Sequence, residues 1–396
     1  MREAWTAIIV NYNGATYLDA CITALESTDA RPSEIVVVDN ASTDDSLLEL
    51  HTYPRVNVLQ QPVNRGFAGG ANAGLDAVET PLAVILNPDV EVELTFGSAV
   101  LRAFSADARL GVAGALLTYP GTSTVQHAGG IVDRPLLTTR HRYYQDDVSA
   151  IGAESVAVDF VTGGAMALRM AAVRQVGGFD EQFSPVYYED VDLCYELRRA
   201  GWRVRFDPSI RAEHHEGATL ARSDDYYRFI HRSRILFALK HLSPGEWQHS
   251  FLPAEIERIR QDIGSEGSND WRAFSGADAI SALLGVDNAG SVASPTLAAV
   301  SPAAGHVALG EMRALWEVER RTPGESRIRR LLTPWNRQLD RALEQQRAFN
   351  GALVRAFEQQ DAINRAQTAN LLLIALEVIA RLRVTSDPVR ESQWSQ

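Results

Sequence analysis

Cysteine is almost missing from this chain. Cys21 and Cys194 are the only two in 396 residues, so a disulfide framework is excluded, and neither sits at metal-ligand spacing from another. A reducing compartment is expected. Long hydrophobic runs are missing too: the most apolar stretch, Asn370 to Leu382, is too short to span a bilayer and carries Glu377 and Arg381. The first apolar segment is one strand long and has neither a signal-peptide core nor a small-residue cleavage site, which places the chain in the cytoplasm by expectation. A basic excess is absent as well. Thirty-eight Lys+Arg face 50 Asp+Glu, a formal charge of −12 that excludes a whole-chain nucleic-acid binder working by phosphate neutralisation. Lys240 is the single lysine, a skew that genomic codon bias explains without any role in function.

What is present is an ordinary globular composition, 45% hydrophobic and 22% charged, long enough for at least one large core. Short β-branched runs at 6–10, 34–39, 56–60 and 82–87 alternate with helix-like segments at about 15–28, 43–51, 68–79 and 94–106. That order predicts an α/β fold, with a mostly parallel sheet covered by helices and ligands bound at the carboxyl ends of the strands. Each run leads into a polar segment: NYNG, DNASTDD, QPVNRGFAGG and NPDV. All four are expected on one crevice. Further along, VAVDFVTG reads as a strand and the residues after it as helical, followed by the acidic cluster YYEDVDLCYELRRAG, a short strand RVRFDP, and EHHEG.

Asn288 to Gly310 contains no Asp, Glu, Lys or Arg and is rich in Ala, Ser, Pro and Gly, as a linker is. The expected division is therefore a domain over 1–245, a helical extension over 246–287, a linker over 288–310 and a helical tail over 311–396. In the tail Leu339, Leu343, Leu353, Phe357, Leu371, Ile374 and Val378 share one heptad frame with Gln346, Asn350, Gln360, Asn364 and Gln367. A coiled coil with amides in its seam fits this, and a homo-oligomer through the C-terminal helices is expected. The tail is also net positive, which suits contact with an anionic membrane surface.

Four elements carry candidate chemistry. Asp39 ends a buried strand, where a carboxylate accepts from a base or ribose; the same residues also make a turn with Thr43 or Ser42 capping a helix. Arg65 precedes Gly66, Gly69 and Gly70 and offers a guanidinium for phosphate, although the Walker lysine and the dinucleotide spacing are both absent. Asp89, after Asn87-Pro88, is held at a strand end where it reaches a hard divalent cation. Glu189, Asp190 and Asp192 lie beside Tyr187 and Tyr188, either as an acidic helix start or as a carboxylate pair in which one member becomes a general base. His214 and His215 return to this acidic rim, where one of them completes a metal site.

Taken together these motifs resemble the inverting glycosyltransferases of family 2, with the GT-A fold, and within them the rhamnosyltransferase-like branch. The resemblance spans roughly residues 4–242 through IIVNYNG, VVVDNASTDDS, NRGFAGGAN, ILNPDV, VTGGAMALR, GGFDEQF, YYEDVDLCYELRRAGW and HHEGAT. It implies a nucleoside-diphosphate sugar donor, a glycan or lipid-linked glycan acceptor and a divalent cation, Mg²⁺ or Mn²⁺. It assigns Val10, Asn11, Asn13, Asp39, Arg65, Gly69, Asn72 and Asn87 to the nucleotide pocket, and Asp89 and His214 to the metal. Asp190 becomes the catalytic base with Glu189 beside it, and Gly163, Gly164 and Tyr188 fall on the acceptor side. The family's usual pair of metal-site aspartates is here Asn87-Pro88-Asp89, so an amide replaces the first carboxylate. A non-catalytic scaffold working through its tail is the rival reading, and the intact Asp89, Glu189-Asp190 and His214 speak against it.

Overall fold

The structure is a computed structural model that describes residues 4–215 and 224–264. The chain runs β1 Trp5–Asn11, α1 Ala15–Ser27, β2 Glu34–Asp39, α2 Ser46–Leu50, β3 Val56–Gln60, α3 Gly66–Asp76, β4 Leu82–Leu86, β5 Val90–Val92 and α4 Phe96–Ala106. It continues with β6 Leu110–Thr118, β7 Val125–His127, β8 Gly130–Asp133, β9 Thr138–His141, β10 Val156–Ala157, β11 Ala165–Arg169, α5 Met170–Val176 and α6 Glu189–Arg199. Then follow β12 Arg203–His214, α7 Asp224–His241, α8 Pro244–Glu246 and α9 Leu252–Gly264. Residues up to Glu255 form one compact unit, and the second unit is described only over 256–264. The expected linker and tail lie outside the described residues, as do the coiled coil and the oligomer read from them. Among the described residues no helix is long and apolar enough to cross a membrane.

The main sheet has the order β10-β12-β6-β11-β4-β1-β2-β3. Its N-terminal part, β3-β2-β1-β4, is parallel as expected, because all of β1 and β4 and nearly all of β2 are buried in continuous apolar runs that helices cover on both faces. The order reverses between β1 and β4, which opens a crevice beyond their carboxyl ends, at Asn11 and Asn87. Helix α3 presses on this sheet through glycine: a Cβ on Gly74 would stand 2.4 Å from Ile8 Cγ2, and one on Gly70 2.7 Å from Val10 Cγ1.

Three sequence expectations differ from the structure. Residues 165–169, read as helical, form β11, an antiparallel strand between β4 and β6. Ala, Met and Leu favour helices locally, but a fully enclosed slot between two strands overrides that propensity. VAVDFVTG supplies only the two residues of β10, and Phe160 adds an isolated bridge to Gly130. The short strand expected at RVRFDP grows into twelve residues, β12, with its register interrupted between Phe206 and Arg211.

Residues 246–255 pack within the first unit. Trp247 and Phe251 are fully buried, and Arg234 Nη2 meets Glu255 Oε1 at 2.7 Å with both side chains sealed from solvent.

Candidate active site

Asp39 closes β2 and is 2% exposed. Its Oδ1 accepts from Asn11 Nδ2 at 3.0 Å and its Oδ2 from the Ser42 amide at 3.3 Å, so a buried carboxylate is held at the crevice floor with lone pairs left over. Asn13 sits in the left-handed region at φ 55°; its Oδ1 accepts from the Thr43 amide at 2.7 Å, and its own amide donates to Ser42 Oγ at 2.9 Å. The loops after β1 and β2 are thereby stitched together. Gly14 is required at the next position, because a Cβ there would fall 2.4 Å from Asn11 Oδ1 and 2.9 Å from Pro88. Asn40, unremarked in the sequence, clamps the third loop: its Nδ2 donates to the Gly66 carbonyl at 2.8 Å and its Oδ1 accepts from the Arg65 amide at 3.0 Å. Arg65 itself pairs with Glu181 at 2.7 Å, half exposed.

Across the crevice, β5 pairs with β12 in a register that sets Val90 opposite His214. This brings His214 Nε2 to 3.2 Å from Asp89 Oδ1, both side chains nearly buried. Two ligands about 2.1 Å from one ion and at right angles lie about 3 Å apart, so the pair fits two neighbouring corners of a hard divalent cation's shell. His214 Nδ1 faces Gln126 Oε1 at 2.9 Å, the outer contact that metal-binding histidines ordinarily make.

The carboxylate pair starts α6. Tyr187 and Tyr188 both take left-handed backbone, φ 77° and 68°, an uncommon conformation for aromatic residues that turns the chain sharply into the helix. Asp190 Oδ2 then accepts from the Gly163 amide at 3.0 Å and Oδ1 from the Val191 amide at 2.8 Å. Burial raises the Asp190 pKa above the usual carboxylate value, and the two amides together with nearby His141 oppose the shift without cancelling it. Glu189 is raised well above its usual value, first by burial and then by the Asp190 charge, and its Oε2 is buried without a hydrogen-bond partner. A helix start favours carboxylate charge, but here desolvation outweighs that preference.

Glu189 therefore binds its proton more tightly folded than unfolded. The stability it contributes is present below the ordinary carboxylate range and is lost as pH rises through its raised value. Glu189→Gln is expected to raise Tm near neutral pH by about 2–4 °C for each kcal/mol relieved, with the gain vanishing in acid. A Tm that is unchanged at neutral pH would show that Glu189 is already relieved there.

Gly163 and Gly164 join the two halves of the site. The Gly163 amide holds Asp190, the Gly164 carbonyl accepts from the Asn87 amide at 3.1 Å, and a Cβ on Gly164 would lie 3.6 Å from His214 Cε1. Three residues of this centre were missed by sequence reasoning: Gln126, His127 and His141. His127 is 1% exposed, packs edge-on against His141 at 4.6 Å between ring centres, and accepts from the Thr162 amide at 3.3 Å. Burial, then the charges of His141 and His214, drive its pKa well below the usual value, so it is neutral. The signal that would have found them is the polar Gln126-His127 pair at a position where a buried strand wants apolar side chains.

Asn72 uses its amide on the Phe179 backbone, donating at 2.9 Å and accepting at 2.9 Å, and so latches α3 to the loop before α6. Tyr188 is 3% exposed and donates its hydroxyl to the Leu137 carbonyl at 2.7 Å, which anchors the β8–β9 hairpin. Gly69 is needed because a Cβ would stand 2.5 Å from Arg65 Cβ, and Val10 is 7% exposed beneath α3. Asp192, Glu196 and His241 also gather ligand atoms within 4.8 Å of one another. That group already holds a cation, since Lys240 Nζ meets Asp192 Oδ2 at 2.8 Å.

The profile of Glycosyl transferase family 2 matches residues 6–177. Over 275 residues the chain is 26% identical to an N-acetylglucosaminyl-diphospho-decaprenol L-rhamnosyltransferase of Mycobacterium tuberculosis, covering 63% of this chain and 88% of that protein. It is 24% identical over 286 residues to a low-salt glycan biosynthesis hexosyltransferase of Haloferax volcanii, covering 68% and 84% respectively. Among solved structures it is similar to a mannosyltransferase from Pyrobaculum calidifontis in complex with GDP-Man and Mn²⁺, with TM-score 0.44, 18% identity and coverage of 96% and 88%.

Proposed function

The chain belongs to glycosyl transferase family 2 through residues 6–177, and from that premise we propose that it is an inverting transferase. It moves rhamnose or a similar hexose from a nucleoside diphosphate to a hydroxyl of a cell-surface glycan precursor. The reading is carried by one observation: adjacent residues Gly163 and Gly164 tie Asp190, with its raised pKa, to the Asn87 strand end, two residues before Asp89 and its partner His214. A short segment thus bonds both the proton-accepting group and the strand end that leads into the diphosphate-neutralising pair. A non-catalytic scaffold has no use for that arrangement.

Asp39 and the Asn11–Asn13 loop hold the nucleoside, and Arg65 screens phosphate charge once released from Glu181. Asp89 and His214 are the residues that would hold a divalent cation, and when bound it supplies charge neutralisation for the departing diphosphate. Asp190 takes the proton of the acceptor hydroxyl as that oxygen attacks the anomeric carbon from the face opposite the diphosphate. One displacement inverts the anomeric centre, so no covalent nucleophile is needed. Glu189, buried beside the base, contacts the acceptor.

A product screen of the full chain over UDP-, dTDP- and GDP-sugars, with and without Mn²⁺, tests this reading. Release of nucleoside diphosphate from one donor, stimulated by Mn²⁺, is expected; absence of turnover and of binding for every donor would overturn it. Asp39→Ala should weaken nucleoside-diphosphate binding by about tenfold to a hundredfold, the worth of a hydrogen bond to a charged partner. Unchanged affinity by calorimetry would remove Asp39 from the pocket.

A further inference from the structure

Gln126 lies on β7, is 3% exposed, and addresses two histidines of the site at once. Its Nε2 stands 2.7 Å from the His214 carbonyl oxygen, its Oε1 2.9 Å from His214 Nδ1, and its backbone oxygen 3.1 Å from His141 Nδ1. A carbonyl oxygen can only accept, so the end of the amide facing the His214 carbonyl must be the NH₂ group. The other end is then the oxygen, which also only accepts. The hydrogen on that contact therefore sits on His214 Nδ1, and a neutral imidazole with Nδ1–H has a bare lone pair on Nε2.

That lone pair is directed at Asp89 Oδ1, 3.2 Å away. Two electron-rich atoms held this close in a nearly buried place repel each other unless a proton or a cation sits between them. Gln126 thus fixes the rotation of the ring, by two bonds to one residue, and also which nitrogen is free. The backbone oxygen of the same residue selects the same tautomer in His141, the ring packed on His127.

We propose that Gln126 is a positioning residue that makes His214 a metal ligand, holding the imidazole as its Nδ1–H tautomer with Nε2 open toward Asp89. The inference rests on the reading of Asp89 and His214 as the cation site. Outer contacts of this kind are typically worth about 10–100-fold in metal affinity.

The test titrates Mn²⁺ alone into the full chain by calorimetry, and records the imidazole nitrogen spectrum of ¹⁵N-histidine-labelled protein without metal. Gln126→Leu, close in size, is expected to bind Mn²⁺ about 10–100-fold more weakly and to show His214 Nδ1 as a mixture of protonated and bare nitrogen, where in the wild type Nδ1 carries its proton throughout. Gln126→Glu retains an acceptor for Nδ1–H and should recover most of the affinity, which a merely space-filling role would not distinguish from Gln126→Leu. Mn²⁺ binding by Gln126→Leu equal to wild type, with Asp89→Ala having lost it, overturns the proposal. Wild type without Mn²⁺ binding, or Asp89→Ala binding as wild type does, overturns the cation site instead. The nitrogen spectrum needs no metal and decides the part of Gln126 separately: an unchanged Nδ1–H signal in Gln126→Leu overturns it.

Discussion

Asp190→Asn is expected to lower turnover by about 10²–10⁴-fold, the usual worth of a positioned base, while leaving donor binding within about twofold. The amide preserves the acceptor oxygen that the Gly163 amide needs, so the Thr162–Gly164 segment stays in place, but it takes no proton. The pH profile sharpens the test. Burial holds the Asp190 pKa above the ordinary carboxylate range, so kcat/KM should fall as pH drops through that raised value and not only in strong acid. In Asp190→Asn this acid limb should disappear from whatever activity remains. Glu189→Gln should be milder and act mainly on the KM for the acceptor, because Glu189 is read as an acceptor contact beside the base, while Asp190 is the one held by the Gly163 amide. A loss of tenfold or less in Asp190→Asn would exclude it as the base, and equal severe losses in both variants would make the pair, rather than Asp190, the proton acceptor.

The second large effect is expected at the metal. Asp89→Ala should remove Mn²⁺ stimulation and cost about 10²–10³-fold in turnover, as the loss of a group that neutralises transition-state charge ordinarily does. Asn87 supplies an amide where a second carboxylate would share the load, which leaves the uncharged ligand His214 alone beside the lost Asp89. Chelation of the wild type and the substitution should reach the same floor, and combining them should lower it no further. If Asp89→Ala still responds to Mn²⁺ as wild type does, the ion sits elsewhere. Asp192, Glu196 and His241 are then the group to alter, although Lys240 already neutralises Asp192 there.

Much of this was legible before any coordinates. The strands β1 to β4 announce themselves because a parallel strand buried on both faces has no alternative to a continuous apolar run, and the residues that follow such a run must stand at the rim. Asp39, Asp89 and Asp190 were found that way, as polar residues placed by strand and helix ends close to them in the chain. Family resemblance added roles to positions that local pattern had already picked out. It did not foresee that Asn72 and Tyr188, which belong to its motifs, bond to the backbone of Phe179 and Leu137.

Other features were decided only by tertiary structure. β11 carries helix-favouring residues and is a strand because β4 and β6 leave room for nothing else. Asp89 and His214 meet through the β5–β12 register, and Gln126 reaches His214 and His141 across separate strands. No periodicity in the chain reports such contacts. A sequence pattern records which face of an element is apolar, a short-range property of successive side chains; which polar groups face each other across a crevice depends on strand order and register, and those are settled by the packing of the whole sheet.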